Sequence, residues 1–183
     1  MIIGVVGPIA SGKSMLSDAL VKRGFIKLSF SAEVREEAAK KNILIRRKEL
    51  QDLGNEMRLK EGKDYWAKRI IAKMREGENY VVEGIRNLSE VESLRKLNNF
   101  ILVAVDAPIE KRYQWIMIRG KDSDPSSLED VKKIDARDRG EGEEAHGQQS
   151  AKCVEMADYH LSNDKTKENF EKKVIKFLKK LKV

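Results

Sequence analysis

Short apolar runs alternate with helix-periodic stretches along the chain. Ile2 to Val6 is an apolar run closed by Gly7, the pattern of a buried strand. From Lys13 to Arg23, Met15, Leu16, Ala19 and Leu20 recur at helical spacing, and Gly24 stops the helix. Phe25 to Ser29 predicts a second strand, after which Ser31 caps a helix running to about Lys41. Two more helices, Arg46 to Lys60 and Asp64 to Arg75, part at Gly62. A strand from Tyr80 to Val82 ends at Glu83-Gly84, and a helix from Ser89 to Leu97 follows. Phe100 to Val105 is the clearest strand, closed by Asp106-Ala107-Pro108 before a helix from Ile109 to Arg119. Gly120 to Ser127 reads as loop, Leu128 to Arg139 as polar helix, and Gly140 to Gly147 is rich in Glu and Gly. His160-Leu161 predicts a last short strand before a tail helix. Strands alternating with helices predict an α/β fold, a doubly wound parallel five-stranded sheet covered on both faces.

A length of 183 residues suits one domain with a core of its own. Charged residues make 37% of the chain, an excess read as a solvated, ion-paired surface. The net charge of +7 raises the question of nucleic acid. Residues 165–183 hold eight Lys and two Glu, a net of +6, which leaves +1 for the rest. In that segment Phe170, Val174, Phe177, Leu178 and Leu181 form one helical face with the lysines opposite. This basic amphipathic C-terminal helix is read as a core face with a solvated back, and the rival reading is a polyanion patch. The single Cys153 excludes a disulfide framework and a cysteine zinc site, and reads as a small buried hydrophobe. Trp66 and Trp115 are expected in the core, and His146 and His160 are expected to be structural or exposed. No apolar run approaches 18 residues and no basic leader opens the chain, so no membrane span and a cytoplasmic location are expected.

Chemistry concentrates where the first strand meets the first helix. Gly7-Pro8-Ile9-Ala10-Ser11-Gly12-Lys13-Ser14 fits G-x-x-x-x-G-K-[ST] between a predicted strand and a predicted helix. Such a loop turns its N–H groups inward as an anion nest at a positively polarised helix end, and Met15 continues it. Lys13 is placed to reach the β- and γ-phosphates and the Ser14 hydroxyl to ligate Mg²⁺, so ATP and Mg²⁺ are the expected cofactors. Acids at strand ends, Glu83 or Asp106, are candidates for the other Mg²⁺ ligand. Asn163-Asp164, after the last strand, is a candidate border of the donor base. No Asn-Lys-x-Asp guanine signature is present.

The P-loop, Ser29-Phe30-Ser31-Ala32-Glu33-Val34-Arg35 and Val81-Val82-Glu83-Gly84-Ile85-Arg86 together resemble nucleoside monophosphate kinases of the adenylate kinase type. The resemblance implies that Ser31, Arg35 and Arg86 grip an acceptor phosphate and that Glu83 serves the Mg²⁺ side. Leu50 to Arg58, with Asp64-Tyr65-Trp66 and Gly84 to Glu90, is similar to deoxynucleoside monophosphate kinases and adds Arg58 and Glu90 as acceptor-pocket candidates. The run Glu83 to Glu92, Val105-Asp106-Ala107-Pro108 and Gly147-Gln148 is similar to archaeal adenylate-kinase-related P-loop proteins. The chain departs from adenylate kinases in carrying Glu83 for Asp, Ile85 for Pro, and Glu90 where a Gln reads adenine. Its Ser31–Arg35 segment is also one residue shorter.

The expected organisation is one P-loop kinase-like domain with a helical acceptor-binding region at 31–76 and a lid-like region at 120–147. Lys13, Arg86, Arg119 and Arg137 are its expected catalytic residues, the last two closing from the lid over the γ-phosphate; Arg112 and Arg139 are weaker candidates. Phosphoryl transfer rests on positioning and charge neutralisation, which this set of residues supplies. The implied function is transfer from ATP to a small phosphate-bearing acceptor, a nucleoside or deoxynucleoside monophosphate. The rivals are dephospho-coenzyme A kinase-like transfer and a regulatory or nucleic-acid-associated ATPase.

Overall fold

A computed structural model describes residues 1–120 and 124–183. The five strands are β1 (Ile2–Val6), β2 (Ile26–Ser29), β3 (Tyr80–Glu83), β4 (Phe100–Asp106) and β5 (Tyr159–Ser162). They form one all-parallel sheet in the order β2-β3-β1-β4-β5. β1 lies at the centre, with Gly4 opposite both Val82 and Leu102.

Side-chain alternation along each strand divides the core in two. Ile3 and Val5, Val81, and Val103 and Val105 point to one face, where they meet Leu16, Leu20, Phe170, Val174, Phe177 and Leu178. Those partners belong to α1 (Lys13–Val21) and α9 (Lys167–Lys180), so the apolar stripe of the tail helix is core and its lysines face out. Val6, Tyr80, Val82, Leu102 and Ala104 point to the other face. There they pack against α2 (Phe30–Lys40), α3 (Arg47–Glu61), α4 (Tyr65–Ile71), α5 (Leu88–Arg95) and α8 (Ser150–Glu155). The remaining two helices, α6 (Ile109–Arg119) and α7 (Leu128–Arg139), pack on each other.

Three local expectations are corrected. Ser29, not Ser31, stands at the N-cap of α2, while Ser31 lies within its first turn. α4 ends at Ile71 rather than Arg75, because the chain must turn there to let Arg75 N–H donate to Tyr80 Oη at 2.7 Å. The six-residue α8 carries too little periodicity to be predicted and is held by the burial of Cys153. Trp66 is fully buried, whereas Trp115 is half-buried. Among the described residues no helix is long and apolar enough to cross a membrane.

Candidate functional site

At the C-terminal edge of β1 the chain makes a turn that only glycine permits. Gly7 has φ 139°, and a Cβ there would lie 2.0 Å from the Val105 carbonyl oxygen. Gly12 has φ 102°, and a Cβ there would lie 2.6 Å from Asn163 Nδ2. Two buried side chains brace this loop from outside. Asn163 Nδ2 donates to the Ser11 carbonyl at 3.0 Å. Arg112 donates to the Ile9 carbonyl at 3.2 Å while it forks onto Asp135 of α7. Lys13 Nζ curls back across the loop to the Gly7 and Pro8 carbonyls at 2.9 and 2.6 Å. Burial first, then the positive charge of Arg86, pushes Lys13 down to about 8 from an ordinary lysine value.

Two cavities adjoin at this point. The smaller, about 220 Å³, is lined by Gly7, Ile9, Ala10, Ser11, Gly12, Lys13 and Ser14. Pro8 contributes through its carbonyl, and Met15 of α1 packs against the core, so neither lines it. The larger, about 460 Å³, opens between α2, α3 and the end of β3. Arg47, Arg86, Arg119 and Glu83 line both. Three guanidinium groups and one carboxylate thus stand on the boundary between the two spaces.

Their partners show how the boundary is held. Asp138 of α7 accepts from Arg86 and from Arg47, both at 2.5 Å, and from Gln51 Nε2 at 2.6 Å. Burial opposes its charge, but the two arginines outweigh it and hold the carboxyl below its ordinary value. Arg47 Nε is buried and has no partner among the described residues, an N–H donor left for an anion. Arg119 forks onto Asp124. Glu83 reaches Lys27 at 3.1 Å through Oε2, while its Oε1 is buried with no partner among the described residues. Glu83 and the exposed Ser14 line the same cavity. One carboxylate and one hydroxyl fit the hard oxygen donors of a Mg²⁺ ion, which Glu83 and Ser14 would hold together with oxygens of a bound phosphate.

In the larger cavity Ser31 and Arg35 stand together, Arg35 NH1 donating to Ser31 Oγ at 3.2 Å. Arg58 lines it too, yet is 4% exposed and paired with the fully buried Glu90. Glu90 lies beneath the cavity rather than on its wall. It accepts from Arg58 Nε and NH2 at 2.9 and 2.7 Å, and from the backbone N–H of Arg86 and Asn87 at 2.8 and 3.1 Å. Its place is therefore to position Arg58 and Arg86.

Arg137 is a further correction. It lines neither cavity, being spent on Asp52 at 2.6 Å and Glu143 at 2.7 Å. Its neighbour Asp138 is the residue of α7 that enters the smaller cavity. Asp106 is exposed and lines neither cavity, and Arg139 is exposed. Sequence reasoning missed Arg47, Gln51, Asp138 and the brace made by Asn163. The signal for the first two was present in α3, where Arg47, Leu50, Gln51, Gly54 and Arg58 share one face at helical spacing.

The AAA domain family matches residues 3–139. A UPF0200 protein of Thermococcus onnurineus is 31% identical, over 99% of this chain and 98% of its own length. The chain belongs to the UPF0200 family. A UPF0200/UPF0201 protein of Archaeoglobus fulgidus is 36% identical over 98% of the chain, which spans only 55% of that relative's length. Among solved structures, a shikimate kinase from Acinetobacter baumannii in complex with shikimate shares the fold, with a TM-score of 0.57 and 16% identity over 100% of this chain and 94% of that one. This UPF0200 chain therefore shares the fold of that structure, a five-stranded parallel sheet flanked by helices.

Proposed function

We propose that the chain transfers a phosphoryl group from ATP to a small phosphate-bearing acceptor, a nucleoside or deoxynucleoside monophosphate. The observation that carries this reading is the shared wall of Arg47, Arg86 and Arg119 between the P-loop cavity and a second, larger one. A nucleotide switch or simple ATPase has no use for a second guanidinium-lined cavity opening onto the γ-phosphate position.

In this reading the nest from Gly7 to Ser14 and the ammonium of Lys13 hold the donor's β- and γ-phosphates. Ser14 and Glu83 hold Mg²⁺, which when bound neutralises charge on the donor's phosphate oxygens. Arg86 and Arg47 reach both spaces, so they fix the two phosphates in line and counter the charge spreading over the transferred group. Arg35 and Ser31 grip the acceptor phosphate from α2. Arg119 and α7, with Asp138 inserted between the arginines, form the side that closes and excludes water.

The test is ADP formation from ATP and Mg²⁺ against each nucleoside and deoxynucleoside monophosphate, dephospho-coenzyme A, shikimate and no acceptor. Stimulation by one or two monophosphates, with the matching diphosphate as product, is expected. A slow rate indifferent to every acceptor would overturn the reading. Shikimate tests the second reading, an alcohol acceptor held by its carboxylate, since guanidinium groups bind carboxylate as they do phosphate and a fold relative was solved with shikimate.

A further inference from the structure

One buried polar group in the larger cavity is unexplained by phosphate binding. Gln148 lines that cavity and is 2% exposed, yet its Oε1 has no partner among the described residues. Its backbone is pinned from both sides. Asn87 Nδ2 donates to the Gly147 carbonyl at 2.9 Å, and Gln149 N–H donates to the Arg86 carbonyl at 2.6 Å.

The orientation of the side chain is settled by its neighbours. Glu143 is a carboxylate that Arg137 holds ionised, so it can only accept. The atom of Asn55 that meets Glu143 Oε2 at 2.5 Å must therefore be the amide nitrogen, Nδ2. At the other end Arg58 NH1, which can only donate, meets Asn55 Oδ1 at 3.3 Å. Both ends agree, so Asn55 presents its oxygen to Gln148, and Gln148 must answer with Nε2 at 3.1 Å. The other polar atom of that amide, its carbonyl oxygen, is left as a buried acceptor with no partner among the described residues, on a side chain that lines the cavity.

We propose that Gln148 selects the acceptor, its Oε1 taking a hydrogen bond from an N–H on the edge of the acceptor's base, with Asn55 and Glu143 as the positioning residues that hold the amide nitrogen and leave that oxygen unpaired. The inference rests on the monophosphate kinase reading and names what the far end of the acceptor must carry. A buried acceptor left unmatched penalises any ligand without the N–H, which is how a built polar site rejects analogues.

The experiment compares the monophosphate that turns over with its analogue lacking the N–H. The pairs are AMP with purine riboside 5′-monophosphate, CMP with its pyrimidin-2-one counterpart, UMP with N3-methyl-UMP, and GMP with N1-methyl-IMP, which lacks both the N1 and the N2 donors. In the unmodified protein the analogue is expected to lose about 5- to 150-fold in kcat/KM. In Gln148→Met the same pair is expected to converge to within about twofold, with KM for ATP unchanged. The first comparison needs no variant to fold. Equal turnover of the two partners in the unmodified protein, or the same discrimination surviving in Gln148→Met, overturns the assignment of Gln148 alone. Failure of every monophosphate to turn over overturns the kinase reading and this inference with it.

Discussion

Glu90→Ala puts the frame beneath the larger cavity to the test. The carboxylate is fully buried and accepts four N–H groups, two from Arg58 and one each from the backbone of Arg86 and Asn87. Its removal strands a buried guanidinium, and breaking one side of such a pair costs about 3–5 kcal/mol. The two backbone N–H groups lose their capping partner as well, so a loss of at least about 4 kcal/mol is expected, against the 5–15 kcal/mol typical of whole domains. For a chain of this length that is a fall in Tm of about 8–16 °C. Equilibrium denaturation of the free protein measures it. A second variant separates frame from chemistry. Arg58→Met with Glu90→Leu replaces the pair by apolar volume, which buried pairs often tolerate, so stability is expected to return to within about 2 kcal/mol of the unmodified chain. Its KM for the acceptor then reports the joint loss of Arg58 and of the carboxylate that positions Arg86. A change below about 1 kcal/mol in Glu90→Ala, where the lost interactions predict several times that, would refute this account of the site's support.

Lys13 is held down to about 8 and binds phosphate in its charged form, so ATP affinity is expected to fall as pH rises through that value. The dissociation constant should grow about tenfold from pH 7 to pH 9; a flat titration up to pH 10 would contradict the loop geometry. Arg86→Ala is expected to lower transfer to the acceptor by about 10³-fold or more, because the group faces both phosphates, with a smaller effect on ATP binding measured without acceptor. Unchanged kcat and KM for the acceptor would remove Arg86 from the reaction. Deleting residues 165–183 strips Phe170, Val174, Phe177 and Leu178 from the core, at about 1.5–3 kcal/mol each, and should leave a chain that shows no cooperative melting transition. A stable, fully active truncation would instead favour a partner-binding role for the lysines.

Local patterns determined the scaffold and the phosphate loop of this protein. A strand, a glycine turn and a helix adjacent in sequence suffice to form an anion nest, so Gly7 to Ser14 is legible with no knowledge of contacts. The tail helix is equally local, because the spacing of Phe170, Val174, Phe177 and Leu178 states which face is buried whatever it packs on. The acceptor side has no such local definition. Arg47, Asp138 and Gln148 come from three distant segments; the first two look in sequence like ordinary polar residues on a helix, and Gly147-Gln148 enters only through a family resemblance that assigns it no role. Only the packing of α3 on α2 and α4, and of α7 on α6 and α8, turns Asp138 toward Arg47 and Arg86, and turns Arg137, one residue earlier, onto Asp52 and Glu143. A helical step of about 100° separates the two, so α7 can send only one of them into the site. The same holds for Gln148, whose amide is oriented by a carboxylate and a guanidinium it does not itself touch through its side chain. Sequence carries the chemistry of neighbours along the chain, and tertiary structure alone decides which distant charges share a low-dielectric space and must pair there.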